Sequence, residues 1–299
     1  MVQYSCKLSR FYNERSQHAR QERTCLLKKI TAIILIVFTL ISVFSISANA
    51  ASYVKVYIDN APFSGDIQVR NQTTYVEVRK FATQIIPSAS VTYNSSARTL
   101  SVKTSSLVLN CEDGKNYIVA NGRYLYYDQP IFMKNGVMYA PIMQLYRAFG
   151  AGIKWSNSIG GFYVTKGSGT IRSGDSFYNK DELYWLSRII SAEAKGEPLR
   201  GKIAVGNVIL NRVRSGFFPN TIYGVIFDKK FGVQFTPASN GTIYAAPTEE
   251  SIIAAKICLE GYSVSTGILY FVNPVKSPNS WASKNRTYFG KIGNHVFYY

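Results

Sequence analysis

Histidine is almost absent from this sequence of 299 residues, which holds two: His18 and His295. Zinc sites built on several histidines are therefore disfavoured, and a Ser-His-Asp triad would have to draw on His295, close to the end of the chain. Cysteine is also scarce, with four residues and no Cys-x-x-Cys spacing. That pattern argues against a metal knuckle or a disulfide framework. Carboxylate chemistry is left as the main option, and the sequence predicts no metal and no cofactor.

Acidic residues are also few, because 17 Asp and Glu stand against 34 Lys and Arg and give a formal net charge of +17. Residues 51–299 alone carry 27 basic and 15 acidic side chains, a net charge of +12. Such a surface attracts polyanions. The basic residues are scattered and form no tract, which fits general solubility as well as an anionic partner.

The first 50 residues contain the pattern of a targeting segment. Lys28 and Lys29 precede an uncharged apolar run from Ile30 to Ile46, which is followed by Ala48-Asn49-Ala50. This order is typical of a secretory signal peptide cleaved after Ala50. The run of 17 residues is also within reach of a tilted membrane span, so an uncleaved anchor is the alternative, and only then is the membrane a partner.

Export changes the interpretation of the charge. The rest of the chain is predicted to be secreted and associated with the cell wall or cell surface. The anionic wall is then the expected partner of the basic surface, and nucleic acid is not.

Residues 51–166 form the first predicted domain, made of short alternating strands with an internal repeat. One copy runs from Asn71 to Lys103 and the other from Asn135 to Lys166. Each copy is typical of a strand, a short amphipathic helix and a two-strand hairpin. Duplicated βαββ units of this kind can bury a common core. Between them, Asp113-Gly114 indicates one more hairpin.

Three features of this domain carry a likeness to a known family: the opening VKVYIDNAPF, the two repeat helices and the closing Gly-Ala-x-Ile-x-Trp element. By these features it resembles the stalk domain related to the N-terminal domain of copper amine oxidases. The resemblance implies a wall-facing spacer or binding module. It does not imply copper chemistry, which belongs to other parts of those oxidases.

Residues 167–179, GSGTIRSGDSFYN, are rich in Gly and Ser and predict a flexible linker. Residues 180–299 form the second predicted domain, mostly helical with a small sheet. Gly196 stops its first helix and Pro198 opens the second, which is apolar almost all round. The predicted elements are helices near 181–195, 198–215 and 248–262 and strands at 268–272 and 294–298. The fold class is therefore α+β with two domains.

One acid lies on the apolar face of the first helix of this second domain. Leu183, Leu186 and Ile190 recur at helical spacing, and Glu193 comes next on the same stripe. Burial there would disfavour the charged carboxylate and raise its pKa. A group that protonates a glycosidic oxygen needs that property. The alternative is that Glu193 lies at the edge of the stripe and reaches water, and periodicity alone favours neither interpretation.

An ordered set of short segments runs through residues 181–299. The segments are Ala192–Pro198, Ala204-Val205, Ile209–Val213, Phe218–Ile222, Gln234–Pro237, Tyr270–Pro274, Trp281 and Ile292–Phe297. In this order they resemble the catalytic domain of cell-wall hydrolases of the SleB/CwlJ type, the spore-cortex-lytic enzymes. The resemblance implies a lysozyme-related fold that cleaves peptidoglycan glycan strands as a lytic transglycosylase.

In that family the glutamate of the Ala-Glu-Ala motif is the catalytic acid, which falls on Glu193 here. The 6-hydroxyl of the sugar attacks the anomeric carbon and leaves a 1,6-anhydromuramoyl end, so one carboxyl group serves first as acid and then as base. The alternatives are a muramidase-type hydrolase that leaves a reducing end and a non-catalytic peptidoglycan-binding protein. The presence of Glu193 argues against the last of these. A stalk domain in place of the usual upstream wall-binding module leaves spore cortex and vegetative wall both open.

Further residues are predicted to surround or support the site. Glu197 competes with Glu193 as the acid, but it precedes a proline, so a role in the turn between the helices is preferred to direct chemistry. Asn211 is expected to support the buried helix, and His295 to form a structural hydrogen bond. Flat rings and amides suit sugar faces and N-acetyl groups, although core or turn packing is the alternative for each aromatic residue. The predicted substrate-binding residues are Gln234, Phe235, Thr236, Tyr270, Asn273 and Trp281.

Overall fold

The computed structural model describes residues 54–167, 171–230 and 232–299. The predicted signal segment lies outside these residues. No helix in the described part of the chain is both long enough and apolar enough to cross a lipid bilayer. Residues 54–299 form one compact unit, and its buried apolar side chains fall into a strand-rich core and a helical core.

Strands dominate residues 54–165, where they form three sheets. The strands are β1 (Lys55–Ile58), β2 (Ala61–Pro62), β3 (Ile67–Arg70), β4 (Thr73–Glu77), β5 (Ser90–Asn94), β6 (Thr99–Lys103), β7 (Val108–Glu112), β8 (Tyr117–Ala120), β9 (Arg123–Tyr126), β10 (Phe132–Lys134), β11 (Val137–Pro141), β12 (Gly152–Ser156) and β13 (Gly161–Thr165). The helices are α1 (Val78–Ile85) and α2 (Ile142–Ala148). The sheet orders are β12-β13-β1-β2, β10-β11-β4-β3 and β5-β6-β7-β8-β9.

Two parts of this region share one order of elements. Strand β4, helix α1 and strands β5 and β6 are followed later by β11, α2, β12 and β13 in the same order. Phe81 and Leu145, which the repeat aligns, are both fully buried, and the Phe81 ring packs edge-on against Phe149 at 5.7 Å. The hairpin predicted at Asp113-Gly114 is confirmed, since β7 pairs antiparallel with β8 and Gly114 adopts a φ of 85° that suits glycine.

Helices dominate residues 171–299, with one small sheet. The helices are α3 (Gly174–Phe177), α4 (Lys180–Ala194), α5 (Leu199–Arg214), α6 (Ile222–Phe227), α7 (Thr236–Asn240), α8 (Glu249–Leu259) and α9 (Trp281–Asn285), with a 3-10 turn at Thr242–Tyr244. The strands are β14 (Tyr270–Val272), β15 (Tyr288–Ile292) and β16 (His295–Tyr298), in the order β14-β16-β15. The prediction of a mostly helical region with a small sheet is confirmed.

Helix α4 begins at a side-chain cap and packs closely against α5. The Asn179 side chain accepts hydrogen bonds from the N–H groups of Asp181 and Glu182 at 2.9 and 3.2 Å and so starts α4. Gly206 in α5 lets its neighbours approach, because an added Cβ would lie 2.9 Å from Ile190 and 2.7 Å from the sulfur of Cys258. The two helices and α8 therefore form the centre of the helical core.

The sequence predicted a flexible linker over residues 167–179, but its described part is packed. The N–H of Gly174 donates to the Asn121 carbonyl at 2.8 Å, and the Asn121 side-chain amide donates to the Ile171 carbonyl at 3.0 Å. Ile171 and Tyr178 are both buried. The Gly and Ser composition predicted flexibility, whereas the burial of these two apolar side chains fixes the described part of the segment in place.

A buried carboxylate joins the strand-rich and helical regions. Glu260 caps α8, and its side chain is 1% exposed. Its donors are Arg123 Nε and Nη2 at 2.7 Å each, Arg147 Nη2 at 3.2 Å and the Tyr178 hydroxyl at 2.9 Å. Tyr126 of β9 packs 4.4 Å from the Tyr262 ring and belongs to the helical core. The two regions thus share a buried polar and aromatic interface.

Candidate active site

Glu193 lies in the last turn of α4. Leu186 and Ile190, which precede it on the same face, are fully buried, and Glu193 itself is half-buried. Burial raises the pKa of the Glu193 carboxyl above its ordinary value, while the positive charge of Lys276 opposes that rise. The carboxyl therefore holds its proton closer to neutral pH than an ordinary glutamate does.

Lys276 belongs to the exposed turn that follows β14. Asn273 shapes this turn, because its side-chain oxygen accepts from the N–H groups of Val275 and Lys276 at 3.0 and 3.3 Å. Asn273, a predicted sugar contact, thus uses its side-chain oxygen to shape the loop that holds Lys276. The positive charge of Lys276 acts on Glu193. The sequence analysis did not identify Lys276, since nothing in the local pattern connects a loop lysine to a helix 83 residues away.

Glu197 is buried at the start of α5, between the helical core and the β15–β16 turn. One carboxylate oxygen accepts from the Asn294 N–H at 2.7 Å, and the other accepts from the Asn294 side chain at 3.1 Å. The carboxylate also fills the space where a Cβ on Gly293 would lie, and Gly293 has a φ of 61°. Glu197 therefore fastens the β15–β16 turn to the loop between α4 and α5.

His295 follows this turn and is also buried. Burial lowers the pKa of its imidazole, a shift that the Glu197 charge opposes. Its Nδ1 lies 4.0 Å from a Glu197 oxygen, and the described residues offer that nitrogen no hydrogen-bond partner. The ring packs edge-on against Phe271 at 5.2 Å. The hydrogen bond expected of His295 is therefore not made by Nδ1 within the described residues.

A cavity of about 810 Å³ opens beside β14. We call it the aromatic cavity. It is lined by Phe217, Phe218, Gln234, Leu269, Tyr270, Trp281, Arg286 and Tyr299. Three of the predicted substrate-binding residues, Gln234, Tyr270 and Trp281, therefore meet at one place. Trp281 is 57% exposed, and its ring centroid lies 5.8 Å from that of Tyr270. Two flat rings and an amide at an open cavity are suited to binding a sugar.

The other predicted residues lie elsewhere. Phe235 is 3% exposed and stacks on Phe271 in the helical core, so its apolar ring is not available to substrate, contrary to expectation. Thr236 is exposed at the first position of α7. Asn211 donates to the carbonyls of Ser265 and Ile268 at 2.9 and 3.0 Å and so supports the loop that leads into β14.

The sequence analysis missed Arg286, which lines the aromatic cavity, and Arg212, which packs against two of the rings that line it. Arg286 lies over the rings of Tyr270 and Trp281 at 4.8 and 4.7 Å. Arg212 is 5% exposed, and its guanidinium carbon lies 5.4 Å from the centroid of the Tyr270 ring. The sequence did contain a signal for Arg212. It is a charged residue in a helix that is apolar almost all round, and burying a charge is costly unless partners compensate for it. In the described residues, no group of three or more His, Cys, Asp and Glu side chains could hold a metal ion.

Two family models match the chain. The model for Cell Wall Hydrolase matches residues 196–298, and the model for the Copper amine oxidase N-terminal domain matches residues 52–164. These matches identify a copper amine oxidase N-terminal domain followed by a domain of the cell wall hydrolase family. The hydrolase match begins at Gly196, three residues after Glu193. The assignment of Glu193 as the catalytic acid therefore depends on the surroundings of its carboxyl in the structure.

Among curated proteins, the chain is similar to the spore cortex-lytic enzymes of Bacillus cereus and Bacillus subtilis. It is 36% and 34% identical to them over 120 residues, which are 40% of this chain and 45% and 38% of theirs. It thus spans less than half the length of these relatives. A solved structure, the catalytic domain of the germination-specific lytic transglycosylase SleB from Bacillus anthracis, is 34% identical and covers 43% of this chain and 100% of that one, with a TM-score of 0.37.

Proposed function

We propose that this protein cleaves the glycan strand of peptidoglycan between N-acetylmuramic acid and N-acetylglucosamine, as a lytic transglycosylase that leaves 1,6-anhydro ends. The observation that carries the proposal is the half-buried position of Glu193 in the last turn of α4, where burial raises the pKa of its carboxyl. The likeness to spore cortex-lytic enzymes and to a lytic transglycosylase supports the substrate and the reaction.

The reaction needs one carboxyl group. Protonated Glu193 donates its proton to the glycosidic oxygen as the bond from that oxygen to the anomeric carbon breaks. The 6-hydroxyl of the same muramic acid then attacks the anomeric carbon, and its proton passes to the Glu193 carboxylate. The acid is regenerated and no water is consumed. Both oxygens of Glu197 accept hydrogen bonds from Asn294, which supports a structural role for that carboxylate rather than a second catalytic one.

The test compares the products of matched variants of the full-length protein. Wild type, Glu193→Gln and Glu197→Gln are incubated with vegetative sacculi and with cortex fragments, and the released muropeptides are analysed by mass. Glu182→Gln is the control, because Glu182 is an exposed glutamate on the same helix. We expect anhydro ends from wild type and Glu182→Gln and none from Glu193→Gln.

The other outcomes separate the alternatives. Reducing ends would mean a muramidase-type hydrolase, and no release from either substrate would mean a non-catalytic binding protein. Full activity of Glu193→Gln together with loss in Glu197→Gln would show that the acid is misassigned. The two substrates also report whether cortex or vegetative wall is preferred.

We further propose that the protein is exported and that residues 51–166 act at the wall as a stalk built from two copies of a βαββ unit. The signal pattern before Ala50 and the net charge of residues 51–299 support this location. The matching element orders of residues 73–103 and 137–165 support the duplication. Cell fractionation tests the location, and recovery of the protein only from the cytoplasm would refute it.

A further inference from the structure

The sheet β12-β13-β1-β2 has an outer face that, among the described residues, packs into neither hydrophobic core. Its inner face carries Val56, Ile58 and Val164, which are buried in the strand-rich core. Because side chains alternate along a strand, Tyr57 of β1 and Tyr163 of β13 lie on the opposite face. Both tyrosines are half-buried, and neither belongs to the strand-rich or the helical core. This face is therefore open to a partner.

The strand register brings two lysines to the same face. Lys154 of β12, Tyr163 and Tyr57 lie side by side across three strands. Lys55 precedes Tyr57 by two residues and so shares its face of β1. Both lysines are exposed. At about 4.8 Å between strands and about 3.3 Å per residue, their Cα atoms lie about 12 Å apart, with the tyrosine pair between them. We call these four residues the lysine–tyrosine cluster.

The donors of this cluster are unused. In the described part of the chain, no side chain of the cluster forms an ion pair or a side-chain hydrogen bond. The four strands of the sheet contain no acidic residue. Asp59, which follows β1, accepts from the Lys166 N–H at 2.9 Å and lies 3.8 Å from the Lys166 ammonium group. The cluster thus offers two positive charges and two hydroxyls with no carboxylate of its own.

The ring geometry indicates what kind of ligand fits. The centroids of the Tyr57 and Tyr163 rings are 5.4 Å apart, and their planes differ by 32°. Two rings side by side in one plane cannot come so close, because carbon atoms in contact stay about 3.5–4.0 Å apart and each ring adds its own radius. The two rings therefore overlap in part and do not form one flat platform on which a sugar could stack. Their hydroxyls and the two ammonium groups are the groups that a ligand can use.

We propose that the lysine–tyrosine cluster binds an anionic phosphate polymer of the cell wall. This inference rests on the proposed location of the protein at the wall. Phosphate oxygens accept hydrogen bonds from lysine and tyrosine side chains. A face without acids favours an anionic partner over its neutral neighbours in the wall. A set of donors spread across three strands suits an extended chain that carries several phosphates.

A lipid surface fits the same face less well. Electrostatic binding to anionic lipid headgroups is typical of about four to eight clustered basic residues. The cluster has two lysines, which are matched to a single strand of charge and not to a plane of it. We therefore treat lipid as an outcome of the test.

The experiment measures binding by calorimetry in the full-length protein, with Glu193→Gln present so that glycan is not cleaved. The probes are poly(glycerol phosphate), soluble glycan strands free of phosphate polymer, and vesicles of phosphatidylglycerol and phosphatidylcholine. One variant combines Lys55→Gln with Lys154→Gln. Its control combines Lys80→Gln with Lys103→Gln, two exposed lysines outside this sheet, so both variants have the same net charge.

Loss of two charge-assisted contacts predicts that the Lys55→Gln, Lys154→Gln variant raises Kd for poly(glycerol phosphate) about tenfold or more. The control variant should change that Kd by less than about twofold, since the exposed charges that it removes make no contact with the polymer. Tyr57→Phe with Tyr163→Phe keeps both rings and should raise Kd about threefold through the lost hydroxyls. Added salt should weaken wild-type binding.

The contrary results are equally specific. Equal losses in the two double-lysine variants would show that net charge alone attracts the polymer, and the proposal would be wrong. If wild type binds glycan strands or vesicles more tightly than poly(glycerol phosphate), and Lys55→Gln with Lys154→Gln removes that binding, the occupant is the glycan or the lipid and the proposal is again wrong.

Failure of this inference is distinguishable from failure of the proposed function. With Glu193 intact, the Lys55→Gln, Lys154→Gln variant should cleave soluble glycan strands at the wild-type rate. If wild type cleaves none of them while the Kd differences appear as expected, the proposed reaction fails and the binding surface stands. Failure of export shows in cell fractionation, and failure of the binding surface shows in the calorimetry.

Discussion

Substituting Glu260 should weaken the join between the strand-rich and helical regions. Its carboxylate is 1% exposed and its partner Arg123 is 12% exposed, so Glu260→Gln leaves a largely buried guanidinium without its counterion. Removing one member of a buried pair costs about 3 kcal/mol or more. Arg147 and the Tyr178 hydroxyl lose the same negatively charged acceptor. The free energy of unfolding of Glu260→Gln should therefore fall by about 3 kcal/mol or more.

The assay is urea unfolding of the full-length protein, followed by tryptophan fluorescence. Trp155 lies in the strand-rich region and Trp185 in the helical one, so single-tryptophan versions report each region. Glu112→Gln is the matched control, because the Glu112–Lys115 pair is about half exposed at 3.7 Å and should contribute no more than about 1 kcal/mol. If the free energy of unfolding falls no further in Glu260→Gln than in Glu112→Gln, the reasoning is refuted.

Three more outcomes are expected. Lys276→Gln removes a positive charge that lowers the pKa of Glu193. Because the proposed acid works when protonated, the pH at which activity falls should move to a higher value in this variant. A pH profile that is unchanged, or that falls at a lower pH, would contradict this. Gly293→Ala adds a Cβ against the buried Glu197 carboxylate at a φ of 61°, and it should lower the free energy of unfolding by about 2 kcal/mol. Gly290→Ala is the control, because a Cβ there meets open space and should have little effect. Thermal unfolding compares the two variants. Burial raises the pKa of the Cys258 thiol, so thiol reagents should label it only as fast as the protein unfolds, and rapid labelling of native protein would count against that burial.

The long periodic elements could be predicted from the sequence. The helix expected near 181–195 is observed at Lys180–Ala194, and the one expected from Pro198 to about Ser215 at Leu199–Arg214. Apolar spacing and caps act locally, so a single sequence carries that information. The short helices α6, α7 and α9 were not predicted, because so few residues are held in a helix by tertiary contacts and not by their own propensity.

The candidate site was predictable only in part, for the same reason. The stripe through Leu186 and Ile190 left open whether Glu193 is buried or reaches water, and in the structure Glu193 is half-buried. Charges that act on the site come from distant loops, such as that of Lys276, which local pattern does not connect to it. The burial of Phe235 was missed because an aromatic residue between polar neighbours looks the same whether it points to the core or to a sugar.

The packed segment that ends at Tyr178 limits how the two regions can move during the proposed reaction. A free tether of the 13 residues 167–179 would let its ends wander over about 20 Å. Ile171, Tyr178 and the Glu260 contacts hold the two regions together instead. If the strand-rich region binds the wall as proposed, Glu193 lies at one fixed distance from the point of attachment. Under the proposed function, the fold itself would then set the spacing between the attached site and the cleaved bond.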